Sequence, residues 1–334
     1  MSALSSPAST SPAPPRAQTA LARHVADGLR RNPKMLSSMY FYDDAGSRLF
    51  QQIMELPEYY PTRTELAIFQ AHGAAIVAAL GGTTGDGDFS LVELGAGDGA
   101  KTKLLLRELL AAAPGFTYAP VDISAGAMSG LVHTLGQELP ALRVVPVVET
   151  YADALRQLRT RPGRKAVLFL GSNIGNFGPA EQLDFLRQLA GPLGPDDRLL
   201  IGFDLRKDPR RIRAAYDDAQ GVTAAFNLNL LTRLNGELGA DFDLAYWQHY
   251  TDYNPLNGAV RSFLVSARAQ AVHLAALNET VDFAAWEAIH TENSYKFSLP
   301  QIEALAAEAG LRVAQVFTDA AGDFADVVLA AGVE

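Results

Sequence analysis

The sequence predicts a doubly wound α/β fold built on a parallel sheet, and three observations predict it. Short apolar runs alternate with helical patterns between residues 90 and 203, the first run ends in a glycine cluster, and two further apolar runs end the chain. Such alternation is typical of a parallel sheet with helices on both faces. Roughly 90 residues of a different texture follow the fifth run, and we expect them to form an insert because a plain nucleotide-binding fold does not need them.

The elements follow one another in a simple order. Helical patterns precede the first strand, at residues 18–31, 44–54 and 62–80. Strand-like runs follow at residues 90–94, 116–121, 142–149, 165–170 and 197–203, and we expect them to be five parallel strands. The helices between them include residues 101–112 and 180–189. Near the end of the chain, a helix at 299–309 precedes two apolar runs, 312–318 and 324–330, which we expect to form a hairpin that closes the sheet.

This pattern divides the chain into four regions. The first fifteen residues are rich in Ser, Pro and Ala and lack the basic start and apolar stretch of a signal peptide, so we predict a disordered tail. Residues 16–80 are predicted to form a helical region that contributes to the substrate site. Residues 81–205 with 298–334 are predicted to form a Rossmann-like nucleotide-binding domain in two pieces, and residues 206–297 an inserted α+β substrate-recognition domain.

Composition argues against several classes of partner. The 28 basic and 37 acidic residues give a net charge of −9, and the basic residues do not cluster, so no nucleic-acid partner is expected. No run of about 18 apolar residues could span a membrane. We expect a cytoplasmic monomer that acts on a small molecule.

Composition also restricts the chemistry. The absence of cysteine excludes disulfides, thiolate zinc sites and cysteine nucleophiles, and it suits a reducing compartment. The six histidines never occur at the spacing that places two metal ligands on one helix face. We therefore predict no metal cofactor.

The glycine cluster after the first strand predicts a nucleoside-binding turn. Gly95, Gly97 and Gly99 lack Cβ atoms, so a ligand can lie directly against the backbone N–H groups. Asp122 ends the next strand, where a carboxylate can accept both hydroxyls of a ribose. The turn also matches the dinucleotide pattern G-x-G-x-x-G/A with Ala100 in the last place. The glycines alone therefore leave open NAD, and also a turn used only for tight packing.

The residues around this turn favour a different cofactor. Glu93 and the spacing Gly95-x-Gly97-x-Gly99 resemble the first motif of class I S-adenosylmethionine-dependent methyltransferases. Polar and aromatic residues that we interpret as walls of a site are concentrated at residues 40–44, 56–65, 169–177 and 289–297. The third of these segments follows the fourth strand, where an α/β sheet presents its reacting groups.

Four longer motifs identify the family that the chain resembles. They are Leu-Pro-Glu-Tyr-Tyr-Pro-Thr-Arg-Thr-Glu at 56–65, Gly-Ser-Asn-Ile-Gly-Asn at 171–176, Ala-Tyr-Asp-Asp with Gly-Val-Thr-Ala-Ala-Phe-Asn at 215–227, and Thr-Glu-Asn-Ser-Tyr-Lys-Phe at 291–297. From about residue 35 onward the chain resembles the histidine Nα-methyltransferases of ergothioneine biosynthesis. The resemblance implies that S-adenosylmethionine donates three methyl groups to the amino nitrogen of histidine, giving hercynine.

The resemblance also implies roles for single residues near the amine. Asn176 and Tyr216 would hold the carboxylate end of the substrate. The carbonyl of Gly171 would lie near the amino group, with Tyr42 beside that amine. Because the sulfonium is already activated, positioning is expected to provide most of the catalysis. Tyr42 or a water could relay the proton that the ammonium loses, and no dedicated base is evident.

A second set of residues would bind the side chain of the substrate. The resemblance implies that Glu292 and Ser294 hold the imidazole and that Tyr59 faces the ring. Imidazole offers one donor and one acceptor, which a carboxylate and a hydroxyl can satisfy. An apolar substrate side chain would leave both groups unpaired, at a cost of about 1–3 kcal/mol each.

For the cofactor, the resemblance implies contacts from Gly95, Lys101 and Asp122 to the methionine end and the ribose. Thr150 and Tyr151 stand where the family usually has Asp-Phe near the adenine amino group, which puts that contact in doubt. Lys101 could equally be an exposed helix residue.

Two other functions remain open at this point. Ser262 stands where some members carry a methionine against the substrate ring, which keeps open an amine methyltransferase for another amino acid such as tryptophan. Glu292 and Ser294 argue against that alternative. A catalytically silent module that only binds S-adenosylmethionine is disfavoured, because the pocket residues occur together.

Overall fold

The structure, a computed structural model, describes residues 19–82, 89–113, 115–158 and 163–332. The predicted tail at residues 1–15 and the first residue of the helix predicted at 18–31 lie outside the described residues. The helices are α1 (Ala20–Leu29), α2 (Asp44–Glu55), α3 (Pro61–Ala79), α4 (Thr102–Ala112), α5 (Ala125–Glu138), α6 (Tyr151–Leu158), α7 (Pro179–Ala190), α8 (Pro209–Ala214), α9 (Val222–Leu238) and α10 (Leu299–Glu308). Within the described ranges, none of them is long and apolar enough to cross a bilayer.

Within the described ranges, the strands form one large and two small sheets. They are β1 (Lys34–Met35), β2 (Phe89–Leu94), β3 (Thr117–Asp122), β4 (Arg143–Val144), β5 (Val147–Val148), β6 (Arg164–Phe169), β7 (Arg198–Asp204), β8 (Trp247–Asn254), β9 (Ala259–Ser266), β10 (Gln270–Leu274), β11 (Glu279–Phe283), β12 (Ala288–Tyr295), β13 (Leu311–Thr318) and β14 (Phe324–Ala331). Three short 3-10 helices are Ser38–Phe41, Asn173–Asn176 and Leu244–Tyr246.

The large sheet confirms the predicted fold class. Its order is β13-β14-β7-β6-β2-β3-β4, with β5 also paired to β3, and the strands from β7 to β4 and β5 run parallel. The predicted carboxyl-terminal hairpin is confirmed, since β13 and β14 pair antiparallel and β14 pairs with β7. The strand predicted at 142–149 is interrupted instead of continuous. Pro146, which has no N–H to donate, separates β4 from β5.

Helices cover both faces of this sheet. On one face, α3, α4 and α5 contribute buried side chains such as Ile68, Leu106 and Leu131. On the other face, α6, α7 and α10 contribute residues such as Leu155 and Leu186. Because both faces are covered, β2 is buried along its whole length, as a central parallel strand is expected to be.

A second sheet joins the amino-terminal region to the insert. Its order is β1-β12-β9-β8, and β1 pairs parallel with β12 at Lys34 and Ile289. One hydrophobic core contains Leu21 and Phe41 from the amino-terminal region with Leu231 of α9. The amino-terminal helices and the insert therefore pack as one unit, while the predicted domain bounds stay predictions.

Candidate active site

The carboxyl ends of the parallel strands meet at one edge of the large sheet, where α/β folds bind ligands. We call residues 93–101 with Asp122 and Tyr151 the glycine edge. A second group of predicted residues comes from loops after β6, from the amino-terminal region and from the insert. We call this group the tyrosine pocket, and its members are Tyr42, Tyr59, Asn176, Tyr216, Glu292 and Ser294.

The glycine edge is held together by its own backbone. Gly95 and Gly97 have φ values of 75° and 53°, in the left-handed region that glycine adopts most easily. The Gly95 N–H donates to the carbonyl of Val121 at 2.8 Å. Asp122 accepts the Gly97 N–H at 3.1 Å and the Ser124 N–H at 2.8 Å, one at each oxygen. Because a carboxylate has about four acceptor sites, Asp122 can still accept ribose hydroxyls.

Glu93 supports this turn from inside the sheet and is 3% exposed. Its carboxylate accepts hydrogen bonds from the hydroxyl of Thr102, at 2.6 Å, and from the hydroxyl of Tyr118. Burial raises the pKa of Glu93 to about 7, while these two donors oppose the rise. Since Thr102 begins α4, Glu93 joins the sheet to the first turn of that helix.

Thr150 and Tyr151 point to different places. Thr150 is exposed, and its hydroxyl donates to Asp153 at 2.6 Å and accepts the Asp153 N–H at 3.3 Å, so it caps the start of α6. The Tyr151 hydroxyl lies 2.6 Å from the position that a Cβ on Gly95 would take. The ring of Tyr151 contacts Phe169 edge-on, with centroids 5.5 Å apart. The structure therefore places the Tyr151 side chain against the glycine turn.

Lys101 points into a buried acidic cluster. Its ammonium forms an ion pair with Glu65, whose other oxygen accepts the Gly171 N–H at 2.7 Å. Burial alone would lower the pKa of Lys101, but Glu65 and then Asp326 raise it above its usual value. The ammonium lies 3.6 Å from where a Cβ on Gly171 would be. Glu65 thus links the glycine edge to the loop after β6, and a contact from Lys101 to a cofactor stays a prediction.

The loop after β6 packs directly against the insert. Ser172 has a left-handed φ of 57°, and its hydroxyl accepts the Asp204 N–H at 2.9 Å. A Cβ on Gly175 would lie 2.7 Å from the carbonyl oxygen of Tyr295, so glycine permits this close approach to β12. Asn176 follows at the end of the 3-10 helix and is partly buried. Its side chain makes no hydrogen bond to any described residue.

Aromatic rings from α2, α9 and three connecting segments form the wall of the tyrosine pocket. Tyr59 meets Tyr216 edge-on, with centroids 6.2 Å apart. Phe50 lies 5.5 Å from Tyr42 and 6.1 Å from Tyr59. Phe226 of α9 contacts Tyr42 at 5.6 Å. These contacts bring together tyrosines from distant parts of the sequence.

The hydroxyls of these tyrosines stay protonated near neutral pH. Burial raises the pKa of Tyr42, Tyr59 and Tyr216 well above the usual value, and the charge of Glu292 raises each further. Tyr42 is 36% exposed, so part of this residue contacts solvent. The three residues are therefore hydrogen-bond donors and not bases.

A β-bulge aims Glu292 and Ser294 into the pocket. Directly paired residues of antiparallel strands point to the same side, and Ile289 pairs with Leu264 in the core. In a regular strand Glu292 would face the opposite side from Ile289. The register shift just before Glu292 places its side chain on the same side of the sheet as Ile289, directly across from Ser262. Ser294, two residues later, points to that side as well.

Glu292 has an unusual environment for a carboxylate. Burial raises its pKa to about 7, and the charge of Lys296 opposes the rise. Among the described residues it has no hydrogen-bond or ion-pair partner. Ser262, the predicted departure from the family, is 2% exposed and lies directly across from Glu292, with its hydroxyl 3.3 Å from that of Thr251.

Lys296 and Asp204 lie at the site but were not singled out from the sequence. Lys296 is 1% exposed and donates to the hydroxyls of Tyr216 and Ser294, each at 2.7 Å. The ammonium also forms an ion pair with Asp204 at 2.8 Å. Lys296 lies inside the Thr-Glu-Asn-Ser-Tyr-Lys-Phe motif, so its presence was visible, but its link to Asp204 depends on how β7 and β12 pack.

A comparison with family models decides the family. The model described as histidine-specific methyltransferase, SAM-dependent, matches residues 21–331. The chain belongs to this family. It is therefore an S-adenosylmethionine-dependent methyltransferase, built on the mainly parallel α/β sheet.

Curated relatives support the same family. The methyltransferase is 45% identical to a histidine N-alpha-methyltransferase of Mycolicibacterium smegmatis, over 92% of this chain and 94% of that protein. It is 41% identical to the protein of that name from Mycobacterium tuberculosis, over 91% of this chain and 93% of the relative. A 4-dimethylallyltryptophan N-methyltransferase of Aspergillus fumigatus is 24% identical, over 90% of this chain and 91% of the relative.

Within the part of the methyltransferase that the structure describes, no group of three or more His, Asp or Glu residues is placed to hold a metal ion. The carboxylates near the site have other roles. Asp122 is bonded to backbone N–H groups, Glu93 to hydroxyls, and Glu65 and Asp204 to lysines. Glu292 differs from these acids because its carboxylate has no partner among the described residues, so all of its acceptor sites are open to a ligand.

Proposed function

We propose that this protein transfers three methyl groups from S-adenosylmethionine to the α-amino nitrogen of L-histidine, giving hercynine, the first step of ergothioneine biosynthesis. The two histidine N-alpha-methyltransferases that are 45% and 41% identical to the chain support this proposal. The observation that carries it is the pairing of an unpartnered carboxylate, Glu292, with a hydroxyl, Ser294, on one face of β12.

This pair suits a neutral imidazole. One ring nitrogen carries an N–H, which the Glu292 carboxylate accepts, and the other nitrogen accepts the hydrogen of the Ser294 hydroxyl. Tyr59 packs beside Tyr216 and provides an aromatic surface for the ring. Substrates without these two polar groups leave Glu292 and Ser294 unpaired, which lowers their affinity.

The glycine edge suits S-adenosylmethionine. The turn lacks side chains at Gly95 and Gly97, and Asp122 keeps acceptor sites for two ribose hydroxyls. When bound there, the cofactor supplies a methyl group that its sulfonium already activates. The chain therefore has to bring an amine to this edge and orient it.

Asn176, Tyr216 and Gly171 are proposed to orient the amine. The Asn176 amide would donate to the substrate carboxylate, Tyr216 would lie beside that end of the substrate, and the Gly171 carbonyl would accept from the amino group. Tyr42, protonated and beside water, would relay the proton that the ammonium loses before each transfer. Because the tyrosines are not ionised, that proton passes through Tyr42 to solvent and does not stay on it.

Methylation of another amino acid, such as tryptophan, is the less supported alternative. Ser262, the residue that keeps this alternative open, is buried and lies directly across from Glu292. An indole, however, offers one N–H and no ring acceptor, so the hydrogen of Ser294 would have no partner.

The test is product analysis with matched variants. Mass spectrometry after incubation with S-adenosylmethionine should show mono-, di- and trimethylated histidine and no methylated tryptophan. The double variant Glu292→Leu with Ser294→Ala should lower kcat/KM for histidine by about 100-fold or more, because two polar contacts are lost. Calorimetry should show nearly unchanged affinity for S-adenosylmethionine. Equal histidine turnover in this variant and the parent would show that the ring is bound elsewhere.

A further inference from the structure

The buried ammonium of Lys296 contacts two hydroxyls of the tyrosine pocket. It donates to the oxygens of Tyr216 and Ser294, each at 2.7 Å, and these two oxygens lie 2.8 Å apart. The third side of the ammonium faces Asp204, at 2.8 Å. An ammonium has three N–H groups, so no donor remains for a substrate. Lys296 therefore acts through its neighbours.

Counting the hydrogens shows what the hydroxyl pair offers to a ligand. Each oxygen already accepts one hydrogen from Lys296, and one of the two hydroxyl hydrogens bridges the pair. If Tyr216 donates to Ser294, both acceptor sites of Ser294 are filled and its hydrogen points outward. If Ser294 donates to Tyr216, the hydrogen of Tyr216 points outward instead. In either arrangement one hydrogen remains for a ligand.

The position of the positive charge of Lys296 favours a role for this residue in the tyrosine pocket. Asp204 is fully buried and already forms an ion pair with Lys207 and accepts a hydrogen bond from Tyr60 at 2.8 Å. Lys296 is thus a second cation on an acid that is already paired. A buried lysine carries a desolvation cost, and in this structure its charge also lies close enough to Glu292 to favour the ionised carboxylate.

We propose that Lys296 is a positioning residue that makes the Ser294–Tyr216 pair a hydrogen donor toward the substrate, and so selects a side chain with an unprotonated ring nitrogen. This inference rests on the proposed function. Without Lys296, both hydroxyls regain free acceptor sites and can turn their hydrogens toward each other or toward Asp204. The pocket would then no longer present a fixed donor opposite the acceptor Glu292.

A double-mutant cycle tests the proposal. Lys296→Met should lower kcat/KM for histidine by roughly tenfold or more, mainly through KM, because an oriented hydrogen bond to the substrate is lost. In a Ser294→Ala background, the same substitution should have an effect at least several-fold smaller, since the hydroxyl that it orients is absent. A purely structural role would lower activity by the same factor in both backgrounds.

Lys207→Met is the matched control. Lys207 pairs with the same carboxylate, Asp204, but contacts neither Tyr216 nor Ser294. Its loss should therefore give the same factor in the parent and in the Ser294→Ala background. If Lys296→Met does not fold, Lys296→Gln, which removes the charge and one of the three N–H groups and leaves Asp204 paired with Lys207, is taken through the same cycle.

The outcomes separate the two proposals. A parent protein that does not methylate histidine rejects the proposed function before any variant is made. An active parent whose Lys296→Met variant loses the same factor in both backgrounds rejects only the role of Lys296. A smaller loss in the Ser294→Ala background, with additive behaviour at Lys207, supports it.

Discussion

The glycine edge and the tyrosine pocket each contain a partly buried carboxylate, yet the two acids differ in their partners. Asp122 of the glycine edge accepts two backbone N–H groups in the absence of any ligand. Glu292 of the tyrosine pocket has no partner among the described residues, and burial raises its pKa to about 7. In the glycine edge the backbone of the chain already binds the acid, whereas the tyrosine pocket carries a carboxylate that no described residue binds and that a ligand can bind. Affinity and stability should therefore respond differently in the two regions.

The largest effect is expected where the two regions meet, at Asn176. Asn176→Asp should lower kcat/KM for histidine by at least about 100-fold. The new carboxylate loses the donor, repels the substrate carboxylate and favours the protonated, non-nucleophilic amine. Steady-state kinetics with histidine measures this loss.

Melting temperature separates this effect from a structural one. The Asn176 side chain makes no hydrogen bond to a described residue, so the variant should melt close to the parent. Near-parental turnover in a thermally normal Asn176→Asp protein would remove Asn176 from the active site. A large drop in melting temperature would show that Asn176 only shapes the turn beside Gly175.

The next effect concerns the glycine edge. Asp122→Ala should weaken binding of S-adenosylmethionine by about 10- to 100-fold, since hydrogen bonds to a charged acceptor contribute about 1.5–3 kcal/mol. It should also lower the melting temperature, because the N–H groups of Gly97 and Ser124 lose their acceptor. Calorimetry and thermal melting measure the two effects. Unchanged cofactor affinity in the variant, or tight NAD binding by the parent, would contradict the assignment.

The two regions also differ in how far the sequence predicts them. The glycine edge is local: Gly95 and Gly97 follow one apolar strand, Asp122 ends the next, and alternation with helices predicts that these strands run parallel. The interruption by Pro146 was also visible in principle, because proline cannot donate within a sheet. Local patterns therefore predict most of the large sheet and its ligand edge.

The tyrosine pocket depends on packing between distant segments. The bulge before Glu292 leaves no clear sequence pattern, although it decides which face Glu292 and Ser294 occupy. The pairing of β1 with β12 involves only two residues, too few for a periodic signal. The ion pair of Lys296 with Asp204 joins the residue after β12 to the last residue of β7, a strand of a different sheet. Family motifs identified the pocket residues, but only the structure shows how they are held.

The smallest expected effect, that of Glu292→Gln on stability, compares Glu292 with Asp122 most directly. Glu292→Gln should stabilise the ligand-free protein at pH 8, on the order of 1 kcal/mol after allowing for partial exposure, because it removes a carboxylate that has no partner. The folded pKa is about 7 against an ordinary value of 4.5. The unfolded chain therefore releases this proton first, and the parent loses stability as the pH rises from about 4.5 through about 7. Glutamine does not titrate, so the difference in melting temperature should be small at pH 5 and reach its full size by pH 8.

Asp122→Asn, which weakens an acceptor of two backbone N–H groups, should lower the melting temperature at pH 8 and serves as the matched comparison. A Glu292→Gln protein that is less stable than the parent at pH 8 would show that Glu292 already has a partner in the folded chain, and the contrast between the two regions would fail.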